Sequence, residues 1–270
     1  MVNKIIGRFL PVFLLVFLFG IVNAQDTYTN SIGIEFVRIK PGSMTVGKFE
    51  PTVGKPGGRN APSAAAYKLA EKMAKEAYMP GFSITIDQPY YIGKFEVTQE
   101  QWVKVMGKNP SVFQGDKVTE STDNHPVDNI SWKDAQAFVK KLNKLDKAHK
   151  YRIPTEFEWE YAARAGAKDD ISWTDIRASA VLGGANPSAV GQKKPNAWGL
   201  YDMLGNVWEW TQDYYNEKIF ADPVPPKSGK EHVLKGASFV GDVKNATYMT
   251  HAAGPGNGYD IGLRIVMESK

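Results

Sequence analysis

The chain contains 270 residues, with 33 lysines and arginines against 29 aspartates and glutamates, and it has no cysteine. A chain of this length can bury a hydrophobic core without covalent cross-links. The absence of cysteine excludes disulfides, thiolate metal sites, lipoprotein acylation and a cysteine nucleophile. A formal net charge of +4 is too small to indicate a nucleic-acid-binding or membrane-surface protein, so we expect no nucleic-acid partner.

Residues 1–24 have the organisation of a secretory signal peptide. Lys4 and Arg8 supply the positive start, an apolar run covers 9–22, and Ala24 ends a small-residue cleavage site. The apolar run is shorter than the roughly 20 residues that a membrane-spanning helix requires. We therefore predict an exported protein, periplasmic or secreted, with no stable membrane anchor once the signal is cleaved. The alternative is an uncleaved N-terminal anchor.

The first part of the mature chain predicts strands and one inserted segment. Alternating apolar and polar residues over 34–39 predict a strand, and 44–46 predict a second short strand after the Pro41-Gly42 turn. Residues 50–81 combine a Pro/Gly-rich loop with an alanine-rich amphipathic helix, which we expect to end at the Pro-Gly pair closing the segment. Residues 82–97 alternate like paired strands.

Three helices follow, and each begins at a residue that can cap its first turn. The N-caps and their partners are Thr98 with Gln101, Ser131, and Thr155 with Glu158. From Lys168 onward no stretch has helical periodicity, and short apolar segments there are typical of strands. No break in composition indicates a second domain, so 25–270 are predicted to form one domain.

Six motifs occur in a fixed order along the chain: YYIGKFEVTQEQW, HPVDNISWKDAQAF, YRIPTEFEWEYAARAG, NAWGLYDMLGNVWEW, VLKGASF and GLRIV. Together they resemble the formylglycine-generating enzyme, or sulfatase-modifying factor, family over about 32–266. The resemblance implies a single α+β domain with little regular secondary structure, related to the C-type-lectin-like fold. Residues 50–81 look like an insertion relative to the shorter family pattern.

The resemblance does not extend to the residues that the family's copper oxidases require. Those enzymes use two cysteines that follow the strand carrying the residue matched by Ser238. The corresponding positions are Gly241 and Ala246, and neither side chain can bind a metal. Formylglycine generation by thiol and copper is therefore not expected. The family's iron branch needs a histidine cluster, and the four histidines of this chain show no paired spacing, so iron is not supported either.

A calcium site is implied by the resemblance within YDMLGNVWEW. The matching positions are the side chains of Asp202 and Glu209 and the backbone carbonyls of Gly205 and Val207. Mixed carboxylate and carbonyl ligands suit calcium, which takes roughly six to eight oxygens. The alternative is that Glu209 forms an ion pair with a buried arginine such as Arg164. The second calcium loop of the enzyme subfamily is compressed in this sequence and is not predicted.

A few polar residues remain in the cleft where the family performs its chemistry. These candidates are Ser238, Asp242, His251 and Asp260. A serine, acids and a histidine invite a hydrolase hypothesis, but no nucleophile elbow or triad spacing supports it. Trp198, Trp208 and Trp210 are expected to lie in the core rather than in the cleft, because a loop-rich fold needs large apolar anchors. Arg264 is expected to form an internal ion pair.

These features lead to three hypotheses about function. The first is an exported, calcium-stabilised member of the family whose cleft binds a protein or peptide and which lacks the copper oxidase activity. The second is a cysteine-independent periplasmic enzyme that modifies a peptide or siderophore, using groups such as Asp242, His251 or Asp260. The third is a periplasmic immunity or scaffold partner.

Overall fold

The computed structural model describes residues 26–49, 63–76, 78–118, 120–221 and 223–269. The predicted signal peptide and most of the Pro/Gly-rich loop lie outside these ranges. None of the helices within the described ranges is both long enough and apolar enough to cross a membrane.

Short strands and helices are separated by long irregular segments. The strands in the described ranges are β1 (Thr27–Thr29), β2 (Glu35–Ile39), β3 (Gly42–Phe49), β4 (Met79–Ile86), β5 (Tyr90–Gly93), β6 (Tyr151–Arg152), β7 (Trp208–Tyr214), β8 (His232–Lys235), β9 (His251–Ala253), β10 (Ile261–Gly262) and β11 (Val266–Glu268). The helices there are α1 (Ala64–Glu76), α2 (Gln99–Met106), α3 (Trp132–Leu145), α4 (Glu156–Arg164) and α5 (Trp173–Ser179). The predicted α+β class with little regular structure is confirmed.

A five-stranded antiparallel sheet has the order β1-β2-β5-β11-β6. Its strands are short, and strands that are distant in sequence lie side by side. Ile92 of β5 pairs with Val37 on one side and with Val266 on the other. Ile92 and Val266 are both fully buried, so this sheet forms one wall of the core.

A four-stranded sheet, with the order β10-β7-β8-β9, contains the end of the motif predicted to bind calcium. β7 pairs in parallel with β10 and antiparallel with β8. Trp210 of β7 is buried and donates its indole N–H to the carbonyl of Ile130 at 2.9 Å. Trp198 and Trp208 are half-buried and pack against the hydrophobic clusters, as expected.

The structure corrects several expectations for the N-terminal segments. β3 spans Gly42–Phe49 and is longer than the 44–46 strand that we expected, because it pairs antiparallel with β4 along this length. α1 ends at Glu76, and the Pro80-Gly81 pair expected to end it lies within β4. The two strands of 82–97 are not paired with each other, since β5 lies in the five-stranded sheet.

None of the residues of α1 is buried, although their spacing is amphipathic. Helical periodicity shows which face of a helix could pack, and it does not show whether a neighbouring element is present. Leu69 and Met73 are accordingly exposed on this helix.

The three capped helices are confirmed. Thr98, Ser131 and Thr155 each accept a hydrogen bond from the backbone N–H three residues later, which satisfies part of the first turn of α2, α3 and α4. Trp102 of α2 stacks on Phe138 of α3, with ring centroids 5.0 Å apart. These contacts fix α2 and α3 against each other.

The expectation of no helix after Lys168 is wrong. α5 begins after Ser172, whose hydroxyl accepts from the backbone N–H of Asp175. This helix has only two turns, and Ile176 is its one buried residue. So short a helix gives almost no periodic signal, and its capping pair was the available sign.

Candidate functional site

The loop that leads into β7 has an unusual backbone. Asp202, Gly205 and Asn206 all have positive φ angles, of 53°, 78° and 58°. Aspartate and asparagine tolerate this left-handed region better than other residues with a side chain. Glycine is required at 205 for a second reason, because an added Cβ would overlap the backbone carbonyl of Val181. The sequence of the loop therefore matches its conformation.

Glu209, a predicted calcium ligand, lies in a buried ion pair and is only 1% exposed. Its two carboxylate oxygens accept hydrogen bonds from the Arg264 guanidinium at 2.7 to 3.0 Å. The indole N–H of Trp159 also donates to Glu209, at 2.5 Å. The expected internal ion pair of Arg264 is confirmed. The alternative that Glu209 pairs with a buried arginine is right, but Arg164, the arginine we named as an example, is wrong, since it forms an ion pair with Glu160.

Sequence reasoning missed a second buried carboxylate beside this ion pair. Glu96 accepts a hydrogen bond from the side chain of Asn206 at 2.6 Å and from the backbone N–H of Val207 at 3.1 Å. Burial, together with the neighbouring Asp202 and Glu209, raises the pKa of Glu96 well above its ordinary value. The available signal was an acidic residue at an inward position of the motif IGKFEV.

Asp202, the other predicted side-chain ligand, is also buried and is only partly satisfied. One carboxylate oxygen, Oδ2, accepts from the backbone N–H of Gly191 at 2.6 Å. The other oxygen, Oδ1, is buried and has no hydrogen-bond partner among the described residues. Burial raises the pKa of Asp202, because desolvation disfavours its charged form. An unsatisfied buried oxygen requires an explanation, and a bound cation is one.

The charges around this loop do not balance when every group is ionised. Glu96, Asp202 and Glu209 carry three negative charges, and Arg264 supplies one positive charge. A divalent cation would neutralise the excess, and the unpartnered oxygen of Asp202 could bind it. Within the described residues no group of three or more acidic or histidine side chains is arranged to hold a metal. An ion here would therefore depend on backbone carbonyls as well as on a carboxylate.

The cleft candidates Ser238 and Asp260 lie together. Ser238 is 1% exposed, and its hydroxyl donates to Asp260 Oδ2 at 2.7 Å. The rings of Phe113, Phe239 and Tyr259 contact one another beside this pair. A buried serine with its proton committed to a carboxylate, and with no histidine contact in the described structure, is not arranged as an activated nucleophile.

Asp242 and His251 occupy different surroundings. Asp242 is exposed, and its carboxylate accepts from the backbone N–H of Lys244 at the start of a 3-10 turn. The Nδ1 atom of His251 lies 3.1 Å from Glu156 but without hydrogen-bond alignment. Among the described residues no hydrogen bond or ion pair joins His251 to Ser238. The structure therefore does not assemble the serine, acid and histidine into a triad.

The positions that match the oxidase cysteines, Gly241 and Ala246, follow Ser238 in the chain. The backbone N–H of Gly241 donates to the carbonyl of Ser238 at 2.9 Å. Ala246 is fully buried and packs in the same hydrophobic cluster as Tyr248. At one of the two positions where a thiol would be needed, an alanine side chain thus packs in the hydrophobic core.

A buried network of charges under α4 was also missed. Lys235 is fully buried, and its ammonium donates to Glu160 at 3.1 Å and to the backbone carbonyl of Tyr248 at 2.9 Å. Glu160 also accepts from Arg164 at 2.6 Å. Such a network is detectable only in three dimensions, since Lys235 and Glu160 are far apart in sequence.

Comparison with known proteins identifies the family to which this chain belongs. Residues 25–269 match the sulfatase-modifying factor enzyme 1-like domain, so the chain belongs to the formylglycine-generating enzyme family. It is similar to a chaperone protein, LppX of Paenibacillus barcinonensis, with 31% identity over 255 residues, covering 73% of this chain and 86% of LppX.

Two further proteins are similar to this chain. It is 33% identical to the formylglycine-generating enzyme of Streptomyces coelicolor over 166 residues, which is 52% of this chain and 50% of that enzyme. The chain thus matches about half the length of that relative. Among solved structures, variable protein 1 of Treponema denticola matches with a TM-score of 0.66 and 27% identity, covering 91% of this chain and 99% of that one.

Proposed function

We propose that this chain is an exported, calcium-stabilised member of the family that binds a protein or peptide at the cleft beside Ser238 and Asp260, without thiol-dependent copper oxidase activity. The observation that carries the proposal is the replacement of both cysteine positions by Gly241 and Ala246 within an otherwise matching domain. A copper(I) site without thiolates lacks the soft ligands that this ion prefers.

Exposed apolar side chains at the cleft support binding. Tyr259 and Val240 are 50% and 47% exposed and lie next in sequence to Asp260 and Phe239. Exposed aromatic residues on a rigid support are common at the centre of protein interfaces. The similarity to LppX, named a chaperone, also favours a protein partner.

Calcium is proposed for the loop before β7. The Asp202 carboxylate and the carbonyls of Gly205 and Val207 would supply oxygen ligands. Glu209 already accepts hydrogen bonds from Arg264 and Trp159, so we assign it a charge-compensating role in this chain. When bound, the ion would stabilise the loop and so the position of β7.

The test of binding uses a photo-reactive residue in place of Tyr259, introduced into the full chain in cells that produce it. The matched control is the same substitution at Tyr78, which is 49% exposed and directly precedes β4. We expect a discrete protein adduct from position 259 and none from 78. Equal adducts at both positions, or none at 259, would contradict a cleft partner.

The test of the missing oxidase activity is independent. The protein is incubated with a cysteine-containing sulfatase peptide and copper(I), and the peptide is analysed by mass spectrometry. We expect no conversion of cysteine to formylglycine, whereas a positive control enzyme converts the peptide fully. Conversion by this chain would overturn the proposal.

A further inference from the structure

A groove of about 830 Å³ lies between the outer face of α3 and the strands β7 and β8. Its lining includes no residue of the proposed cleft or of the calcium loop. The volume is within the range of about 300–1,000 Å³ that is usual for ligand pockets. The groove is therefore a separate surface, and a ligand bound there would be independent of the proposed function.

The floor of the groove is a stack of aromatic rings. Trp132 and His232 are parallel, with centroids 3.5 Å apart, and Tyr214 lies 4.4 Å from His232. The indole N–H of Trp132 donates to the carbonyl of Thr211 at 3.0 Å. Burial lowers the pKa of His232, so its ring is neutral at pH 7. The floor thus offers apolar area with no fixed charge.

The rim of the groove is positively charged. Lys133, Lys140 and Lys144 are exposed on one face of α3, with the spacing that places residues on one side of a helix. Within the described chain none of these three lysines forms an ion pair with a carboxylate. No acidic side chain lines the groove. Unlike the lysines, Arg152 is already paired with Glu158 at 2.6 Å.

One polar side chain of the wall, Asn143, is committed to the protein itself. Asn143 donates to the carbonyl of Tyr151 and accepts from its N–H, both at 2.8 Å. Recognition of sugar hydroxyls would need such planar polar groups to be available. Beyond the amides of Gln136 and Gln212, what the groove offers a ligand is flexible positive charge and apolar area. A ligand that uses both carries carboxylates and apolar side chains together.

We propose that this groove binds an acidic, partly apolar peptide segment of a partner protein in extended form. A rise of about 1.5 Å per residue places Lys133 and Lys144 roughly 16 Å apart along α3. An extended peptide covers that distance with about five residues at roughly 3.3 Å each. Alternate side chains of such a peptide face the same side, so carboxylates can reach the rim while apolar residues contact the floor.

The occupant is another molecule rather than an undescribed part of this chain. Residues 50–62 contain Lys55 and Arg59 against a single Glu50, and 1–24 contain no acidic residue. Neither segment has the negative charge that the rim requires. A second copy of the chain is another source of acidic residues, and self-association of the groove variant distinguishes it from a partner protein.

The test measures binding of a labelled six-residue peptide that alternates glutamate and leucine, by fluorescence anisotropy with the full chain. The groove variant is Lys133→Gln, Lys140→Gln and Lys144→Gln combined. The control variant combines Lys108→Gln, Lys141→Gln and Lys147→Gln, which are exposed lysines outside the groove with the same change in charge. We expect saturable binding that weakens about tenfold or more in the groove variant and less than about twofold in the control.

Two further probes separate this proposal from simple attraction of anions. A peptide alternating glutamate and serine should bind about fivefold more weakly, because it cannot use the aromatic floor. Equal affinity for the two peptides, or equal losses in both lysine variants, would overturn the proposal.

A heparin fragment that binds with the same lysine dependence, when the peptide does not, would assign the groove to an acidic polysaccharide instead. Self-association that is lost only in the groove variant would replace the partner by a second copy. Tyr259→Ala, in the cleft, should leave peptide binding unchanged, so failure here is distinct from failure of the cleft proposal.

Discussion

The proposed calcium site predicts that removal of calcium lowers the stability of this protein, by an amount set by the ratio of calcium concentration to dissociation constant. A ligand present at about 100 times its dissociation constant stabilises a folded protein by about 2.7 kcal/mol. For a domain of this size, each kcal/mol changes the melting temperature by about 2–4 °C. We therefore expect EGTA to lower the melting temperature by roughly 5–10 °C relative to excess calcium.

The variant Asp202→Asn separates calcium binding from ordinary packing. Asparagine can still accept a hydrogen bond from the backbone N–H of Gly191. It also removes the carboxyl group of Asp202, whose pKa is raised by burial. The calcium-free protein should therefore be as stable as the wild type or more stable. The affinity for calcium should fall by about tenfold, because one anionic ligand is lost. A substitution that preserves the stability of the calcium-free protein but weakens calcium binding indicates that Asp202 binds the ion.

Proton release gives a second measurement of the same site. Glu96 and Asp202 have raised pKa values, so the calcium-free site retains protons at a pH where free carboxylates would be ionised. Binding of a cation favours the ionised forms and releases those protons, so affinity for calcium should increase with pH. Calorimetric titration in buffers with different ionisation enthalpies measures the number of protons released.

The assay is thermal unfolding followed by scanning calorimetry, with calcium, magnesium or EGTA. Asp87→Asn, at an exposed position, is the control for loss of one negative charge. A calcium site in this loop is refuted if EGTA has no effect, if magnesium stabilises as well as calcium, or if Asp202→Asn and Asp87→Asn behave alike.

Three other substitutions test buried features. Burial raises the pKa of Asp128 to about 6, whereas the same carboxyl group ionises near pH 4 in the unfolded chain, so the folded state loses stability as the pH rises from about 4 to about 6. Asp128→Asn should therefore stabilise the protein at pH 8 by about 2 to 3 kcal/mol and have little effect at pH 4, as measured by urea unfolding; a similar effect at both pH values would contradict this. Lys235→Met should lower the free energy of unfolding by about 3 kcal/mol or more in the same assay, because it leaves Glu160 without one of its buried cations. Gly205→Ala should lower the free energy of unfolding by about 2 kcal/mol or more, because of the positive φ at this position and the overlap of a Cβ with Val181. An unchanged urea midpoint would show that the loop can adjust.

The sequence predicted the local features of this fold well. Thr98, Ser131 and Thr155 cap their helices as expected, because a cap depends on residues three positions apart. The family was also identified from its motifs, and the domain match confirms it. These features depend on short segments or on a linear order of motifs.

Long-range pairing could not be predicted in the same way. Glu209 could be recognised as needing a cation, but the choice between Arg164 and Arg264 depends on which strands are neighbours. Glu96 was missed because its importance depends on Asn206 and Asp202, which are distant in sequence. The exposure of α1 could not be predicted for a related reason, since amphipathic spacing does not reveal whether a packing partner exists.

The position of β11 within the five-stranded sheet has a consequence for how the chain folds. β11 pairs with both β5 and β6, so residues 266–268 complete a sheet that contains 35–39 and 90–93. The earlier strands cannot find all their partners until this late segment is present. Proteins dominated by such distant contacts fold slowly, in roughly milliseconds to seconds. During synthesis the sheet therefore remains incomplete until 266–268 have emerged, and its open strand edges are accessible to chaperones or to wrong partners in the meantime.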